Sequence, residues 1–294
     1  MGPVFRTPEA RFEHLPGFPY EAAYREVEGL RLAHVDVGEG PPLLFIHGSP
    51  AWSFIWRKMI PPLVDAGYRC VAPDHAGYGR SDKPLDSSWY SPERHVALTG
   101  SILEDLDLSD VTIVVHDWGG PIGLSLALMN PDRIARIVVL DTAIDPRETW
   151  MNESWVRLRD FIRETEDLPV PELLRSIVVH ELDDDVVAAY EAPFPTPESS
   201  AVLWGMMSAV PRPDDEAAAA AADAFYDALR ADPRPMLMMW ADSDLFLTLA
   251  SGQRLASRIG RRIDHVIRNA GHALQEDDGE LVAKHLIDWL GSAR

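Results

Sequence analysis

The chain has 294 residues, 46% of them hydrophobic, enough for one large domain with an inserted lobe or for two modest domains with a sizeable buried core. A formal net charge of −20 repels phosphate backbones and anionic membrane surfaces, which argues against nucleic-acid or membrane partners. The single cysteine, Cys70, excludes an internal disulfide and a cysteine-built zinc site.

No positively charged segment followed by an apolar run opens the sequence, and no stretch approaches the roughly 18 apolar residues of a membrane span. A soluble, cytoplasmic protein is expected. Early in the chain, REVEGLRLAHVDVG reads as a hairpin about Glu28 and Gly29. Three short apolar runs follow, PLLFIHGSP, YRCVAPDHAGYG and VTIVVHDWGG, each ending in a polar or glycine-rich loop. Cys70, inside the second run, reads as a buried strand residue. Helical patterns lie between and after them, in WRKMIPPLVDAG, RHVALTGSILEDLDL and PIGLSLALMN. Strands alternating with helices imply a mostly parallel sheet covered on both faces, with sites beyond the carboxyl ends of the strands.

The next strand, RIVVLDT, ends at Thr142, and the following convincing one, PMLMMWADSD, begins only at Pro235. The intervening stretch is rich in tryptophan, charged residues and proline-broken helix patterns, which suggests a helical cap over the strand ends. Its six consecutive alanines, Ala217 to Ala222, belong in a helix, since alanine has the highest helix propensity. The division expected is a core of residues 1–142 and 232–294 with a cap of residues 143–231.

Asp117 ends an apolar strand and is followed by Trp118, Gly119, Gly120 and a helix, the setting of a nucleophile elbow. The turn after an earlier strand, His47 to Pro50, can aim the Ser49 backbone N–H at the same point as that of Trp118, forming an oxyanion hole. His47 itself reads as structural. His272, behind a glycine in NAGHALQED, suits a general base reaching over the strand ends. Its orienting acid is Asp244, in WADSDLF after a strand; Asp141, after the strand before the insertion, and Asp242 are the alternatives.

A carboxylate nucleophile is already ionised and attacks unaided. Attack on a carbonyl would give a reactive anhydride, whereas attack on a saturated carbon gives a stable ester. The substrate should therefore carry an sp³ carbon with a leaving group. His272 would activate the water that hydrolyses the ester. A halide leaving group needs donors in an apolar pocket, and the Trp118 indole N–H is a donor with no competing acceptor. An opening epoxide would instead need a phenol, for which Tyr226 and, less suitably, Tyr190 are the candidates in the insertion.

HGSPAWSFIWRKMIPPL, VAPDHAGYGRSDKP, VVHDWGG, YEAPFP and AGHALQED resemble, in order and spacing, the haloalkane dehalogenases of the α/β-hydrolase superfamily, across most of residues 10 to 290. Soluble epoxide hydrolases share part of the pattern. The resemblance implies an α/β-hydrolase fold with a mostly parallel sheet flanked by helices and an inserted cap. Asp117, Asp244 and His272 then follow the nucleophile, acid, base order of that superfamily, although its members place the acid after either strand and Asp141 stays open. It also implies a second halide donor from a cap tryptophan. Ungapped alignment back from YEAPFP puts Leu158 at that place, and Trp155, three residues earlier on the same helical face, can replace it; Trp150 is a weaker candidate.

The expected reaction is hydrolytic dehalogenation of haloalkanes through an alkyl ester on Asp117. Epoxide hydrolysis with Tyr226 as proton donor is the alternative, and a non-catalytic ligand-binding homologue is the second. The expected partners are a small apolar halogenated or epoxide substrate and water. No metal or organic cofactor is implied, for want of zinc-ligand spacing and of a glycine-rich nucleotide loop.

Overall fold

The computed structural model describes residues 2–150, 152–165 and 167–292, without the side chains of Thr149 and Trp150. Eight strands form one sheet: β1 (Ala23–Val27), β2 (Leu30–Val37), β3 (Pro42–Ile46), β4 (Arg69–Pro73), β5 (Val111–His116), β6 (Ile134–Leu140), β7 (Met236–Ala241) and β8 (His265–Ile267). Their order is β8-β7-β6-β5-β3-β4-β2-β1. All pairs from β4 through β8 are parallel, while β2 pairs antiparallel with both β1 and β4. The antiparallel edge is the expected hairpin: Val27 faces Leu30, and Glu28 and Gly29 both take positive φ (52° and 77°), as a two-residue turn matched to strand twist requires.

Every residue of β5 is buried, as a central parallel strand covered on both faces should be. Cys70 is buried in β4, and burial pushes its thiol up to about 12, so it is an inert packing residue. Helices α1 (Ile60–Asp65), α2 (Pro92–Asp105) and α3 (Gly119–Met129) connect the first strands. The long helix expected over WRKMIPPLVDAG is instead a 3-10 turn at Ser53–Trp56 followed by the short α1. Pro61 and Pro62 lack the N–H a helix interior needs, so they sit in the first turn of α1, where it is dispensable. Ser91 caps α2, which starts two residues before the pattern suggests.

Between β6 and β7 the described residues form helices and no strand: α4 (Pro146–Trp150), α5 (Glu153–Glu164), α6 (Val170–Arg175), α7 (Asp184–Glu191), α8 (Ala201–Ser208) and α9 (Glu216–Ala231). The Asn152 side chain accepts from the Ser154 and Trp155 N–H groups at the start of α5, and Asp215 from Ala218 at the start of α9. The alanine run lies in α9, as its propensity requires. The chain closes with α10 (Leu249–Arg258) and α11 (Leu274–Ser292), the latter kinked at Asp278. No described helix is long and apolar enough to cross a membrane.

The chain passes from β3 to β4 on one side and from β5 to β6 on the other, while β3 and β5 lie side by side. The carboxyl ends of β3 and β5 are therefore the topological switch point, where open α/β sheets leave a crevice.

Candidate active site

Asp117 follows β5 and Ser49 follows β3, so the two flank that crevice. Asp117 has φ of 51°, an uncommon left-handed backbone for a residue with a side chain, and holding it there costs about 1–3 kcal/mol. Three contacts clamp it: its N–H donates to the Asp141 carbonyl (3.0 Å), and its carbonyl accepts from the Gly120 N–H (2.8 Å) and the Thr142 hydroxyl (2.7 Å). The glycines after it are demanded by close approach. A Cβ on Gly119 would lie 2.0 Å from the Ile46 carbonyl oxygen, and one on Gly120 1.8 Å from Thr142 Oγ1. A Cβ on Gly48 would lie 2.3 Å from Asp117 Oδ2, so glycine there lets the β3 turn reach the carboxylate. The Ser49 N–H donates to Asp117 Oδ2 at 2.8 Å.

His272 lies in the loop between β8 and α11. Its Nε2 is 3.5 Å from Asp117 Oδ1, and its Nδ1 donates to Asp244 Oδ2 at 2.8 Å. Asp244 is fully buried and fixed through its other oxygen by the N–H groups of Phe246 (2.7 Å) and Leu247 (2.9 Å). Asp141 is buried too, but its carboxylate accepts from the Ala241 N–H (3.0 Å) and has no hydrogen bond to the imidazole. Asp242 is spent on the Ser243 hydroxyl and the Asn269 N–H. Ligand atoms of Asp141, Asp244 and His272 lie within 4.8 Å of one another, yet the Nδ1 lone pair a cation would need is taken up by the N–H bonded to Asp244.

Burial opposes charge on every one of these groups, and their pairing reverses it for three. The Asp117 carboxyl is held below its ordinary range despite burial, through hydrogen bonding and charge from His272 and the Ser49 N–H. Asp244 is likewise held down by His272 and its two backbone donors. His272, flanked by both carboxylates, is raised well above an ordinary histidine against the pull of burial. Asp141 goes the other way, raised well above the carboxylate range by burial and by the charge of Asp244, so it resists ionisation beside the acid that His272 uses.

Asp117 and His272 open into a cavity of about 1010 Å³ lined mainly by apolar side chains. Ser49 and Trp118 line it beside the carboxylate, and Trp155 and Leu158 of α5 line it from the helical segment. The Trp118 indole N–H has no hydrogen-bond partner among the described residues. The side chain of Trp150 lies outside the described residues. Tyr226 does not reach this space: it is buried against a separate cavity with Arg258 stacked over its ring at 4.0 Å. Tyr190 donates its hydroxyl to Glu276 at 2.8 Å. Neither phenol faces Asp117, a correction to the proton-donor reading of Tyr226. Its cause is helical phase, since on α9 the cavity-facing positions are Ala218, Ala221, Ala222 and Phe225. Tyr90 does line the cavity, but its hydroxyl is given to the Pro84 carbonyl at 2.7 Å.

Two contributors escaped sequence reasoning. His116, which the sequence did not single out, donates from Nε2 to the carbonyl of His272 at 2.8 Å, its ring 4.9 Å from the other imidazole. Burial and the neighbouring His272 charge lower it to about 4, so it remains a neutral donor. Glu276 is buried in an ion pair with Arg57 and also accepts from Tyr190 of α7, tying the helical segment to the start of α11. A buried acid in an arginine-poor stretch gives no sequence signal of its partner 219 positions away. His47 accepts from the His75 N–H at 3.0 Å and is fully buried.

Comparison with known proteins places this geometry among relatives. Residues 41–279 match the model of the alpha/beta hydrolase fold family. The chain is 35% identical to a haloalkane dehalogenase of Psychrobacter cryohalolentis, covering 98% of each chain, and 37% identical to one of Mycobacterium marinum, covering 97% of this chain and 99% of that one. Among solved structures, the tetrameric haloalkane dehalogenase DpaA of Paraglaciecola agarilytica superposes with a TM-score of 0.86 at 33% identity, covering 96% of this chain and 97% of that one.

Proposed function

Because this chain belongs to the haloalkane dehalogenases of the α/β-hydrolase fold and is a hydrolase of carbon–halogen bonds, we propose that it works through an ester on Asp117. An Asp117 carboxylate oxygen attacks the halogen-bearing carbon from behind, forming the C–O bond as the carbon–halogen bond breaks and halide leaves. The Trp118 and Trp155 indoles, both on the wall of the Asp117 cavity, are the groups assigned to hold the departing halide. Leu158 lines the same wall and offers no donor.

Esterification cancels the Asp117 charge. One of the two carboxylates that hold the proton on His272 is then gone, and the imidazole falls back toward the ordinary histidine value of about 6.5. The base therefore becomes competent once there is an ester to hydrolyse. It takes a proton from water as that water attacks the ester carbonyl carbon. Ser49 N–H, already 2.8 Å from Asp117 Oδ2, and Trp118 N–H are assigned to the oxyanion of the tetrahedral intermediate. Collapse releases the alcohol and regenerates the carboxylate, and the proton leaves with the product solution. Asp244 keeps the imidazole in the tautomer that presents Nε2 to water.

The observation carrying this reading is His272 bridged between a strained, cavity-facing carboxylate at 3.5 Å and a buried one at 2.8 Å. The test is His272→Gln incubated with 1-bromobutane: a stoichiometric burst of bromide and a mass increase of one butyl group on Asp117 are expected. Steady bromide turnover by that variant with no mass increase would refute the ester route. No observation favours the epoxide reading, since the phenols it needs face away from Asp117.

A further inference from the structure

We infer that this enzyme binds long, uncharged haloalkanes, holding an alkyl tail of roughly a dozen carbons in a groove along α3. The inference rests on the dehalogenase reading above and specifies its substrate class. Three consecutive-turn residues of α3, Pro121, Ser125 and Met129, line the cavity together with Trp118 at the helix start. They share one face of the helix at four-residue spacing. The cavity therefore runs the length of α3, from the partly buried Asp117 to Met129, which is 70% exposed.

The eleven helical steps from Trp118 to Met129, at 1.5 Å each, span about 16 Å. An extended chain advances about 1.2 Å per bond, as a polypeptide does over its three backbone bonds per residue, so this length takes about thirteen bonds. A two-carbon dihalide would occupy only the buried end and leave the remainder to water.

Another wall is the face of α9 made by Ala218, Ala221, Ala222 and Phe225, where small side chains leave width that leucine or phenylalanine would fill. Glu93 is the one further charged side chain among the described lining residues beyond Asp117 and His272. It is exposed near the start of α2, in a chain of net charge −20. A lining whose one further charge is negative suits a neutral tail and disfavours a terminal carboxylate.

The test is bromide release from 1,2-dibromoethane, 1-bromopropane, 1-bromohexane, 1-bromooctane and 8-bromooctanoate. kcat/KM should climb along the alkyl series by up to about fourfold per methylene, the full value of a buried CH₂ group. The octanoate should fall well below 1-bromooctane. Ser125→Phe and Ala221→Phe, at positions not fully buried, should each lower the octyl-to-propyl ratio by tenfold or more. A flat or falling series beyond propyl, with 1-bromopropane turned over, overturns the tail groove and leaves the dehalogenase reading standing. An unchanged octyl-to-propyl ratio in both folded variants also overturns it. No bromide from any of these substrates would sink the underlying reading instead.

Discussion

Removing the imidazole of His116 isolates the second half of the reaction. His116 touches the His272 carbonyl through its Nε2 at 2.8 Å, while no hydrogen bond joins its ring to the Asp117 carboxylate. His116→Ala forfeits a hydrogen bond worth about 1 kcal/mol net and leaves a buried carbonyl unpaired at a further 1–3 kcal/mol. A stability loss of about 2–4 kcal/mol follows, which a 294-residue chain can tolerate at 25 °C within a typical 5–15 kcal/mol margin. The same loss frees the His272 loop. A base displaced by about 1 Å loses on the order of a hundredfold in rate, and only the water step uses that base. Rapid-quench measurement with 1-bromobutane should show a bromide burst of nearly wild-type rate and an ester-hydrolysis phase slowed 10- to 100-fold, so that alkylated enzyme accumulates. His116→Gln, which retains a side-chain N–H donor, should recover most of the second phase. If the burst and the steady phase slow equally, or if glutamine rescues nothing, His116 acts on the nucleophile or on folding and not by placing His272.

Four other perturbations follow from the same geometry. Asp244→Asn removes the acceptor of the Nδ1 proton, so turnover should fall by about 10⁴, the cost of a wrong tautomer, while near-wild-type activity would pass the orienting role to another group such as Asp141. Gly48→Ala places a Cβ 2.3 Å from Asp117 Oδ2 and should abolish the burst in a protein whose circular dichroism is unchanged; a normal burst would contradict the close approach. The bromide burst should hold steady from pH 9 to pH 5, because Asp117 titrates below its ordinary range. Steady turnover should fall across the same interval as the imidazole of the esterified enzyme gains a proton, and parallel profiles for the two phases would contradict the switch in His272 basicity. Trp155→Phe should raise KM for bromoalkanes and weaken bromide product inhibition by about tenfold, the worth of one donor to a charged group, whereas Tyr226→Phe should change neither, which steady-state kinetics with added bromide will show.

Much of this was legible in the residues. The β5 run VTIVVH followed by Asp117 and two glycines announced a strand, a sharp turn and a helix, and the hairpin turn at Glu28 and Gly29 followed from alternation alone. Those signals are local, since glycine tolerates a backbone approach that a Cβ forbids. The sequence put Asp244 first and left Asp141 open. Both end a strand beside His272, and what separates them is a backbone N–H: that of Ala241 holds Asp141, while those of Phe246 and Leu247 aim Asp244 at the imidazole. Tyr226 failed for a related reason, because helical phase decides which side of α9 meets the cavity and a run of alanines carries no amphipathic signal. His116 carried no signal at all, its partner being a carbonyl 156 positions away.

In the ester route the product oxygen comes from Asp117, and water replaces it there. A single turnover in water enriched in oxygen-18, with enzyme in excess over 1-bromobutane, tests it directly. Unlabelled butanol and one heavy oxygen in the peptide containing Asp117, read by mass spectrometry, are expected. Labelled butanol from that first turnover, with the peptide unlabelled, would mean that water attacks the carbon itself and would rule out the ester on Asp117.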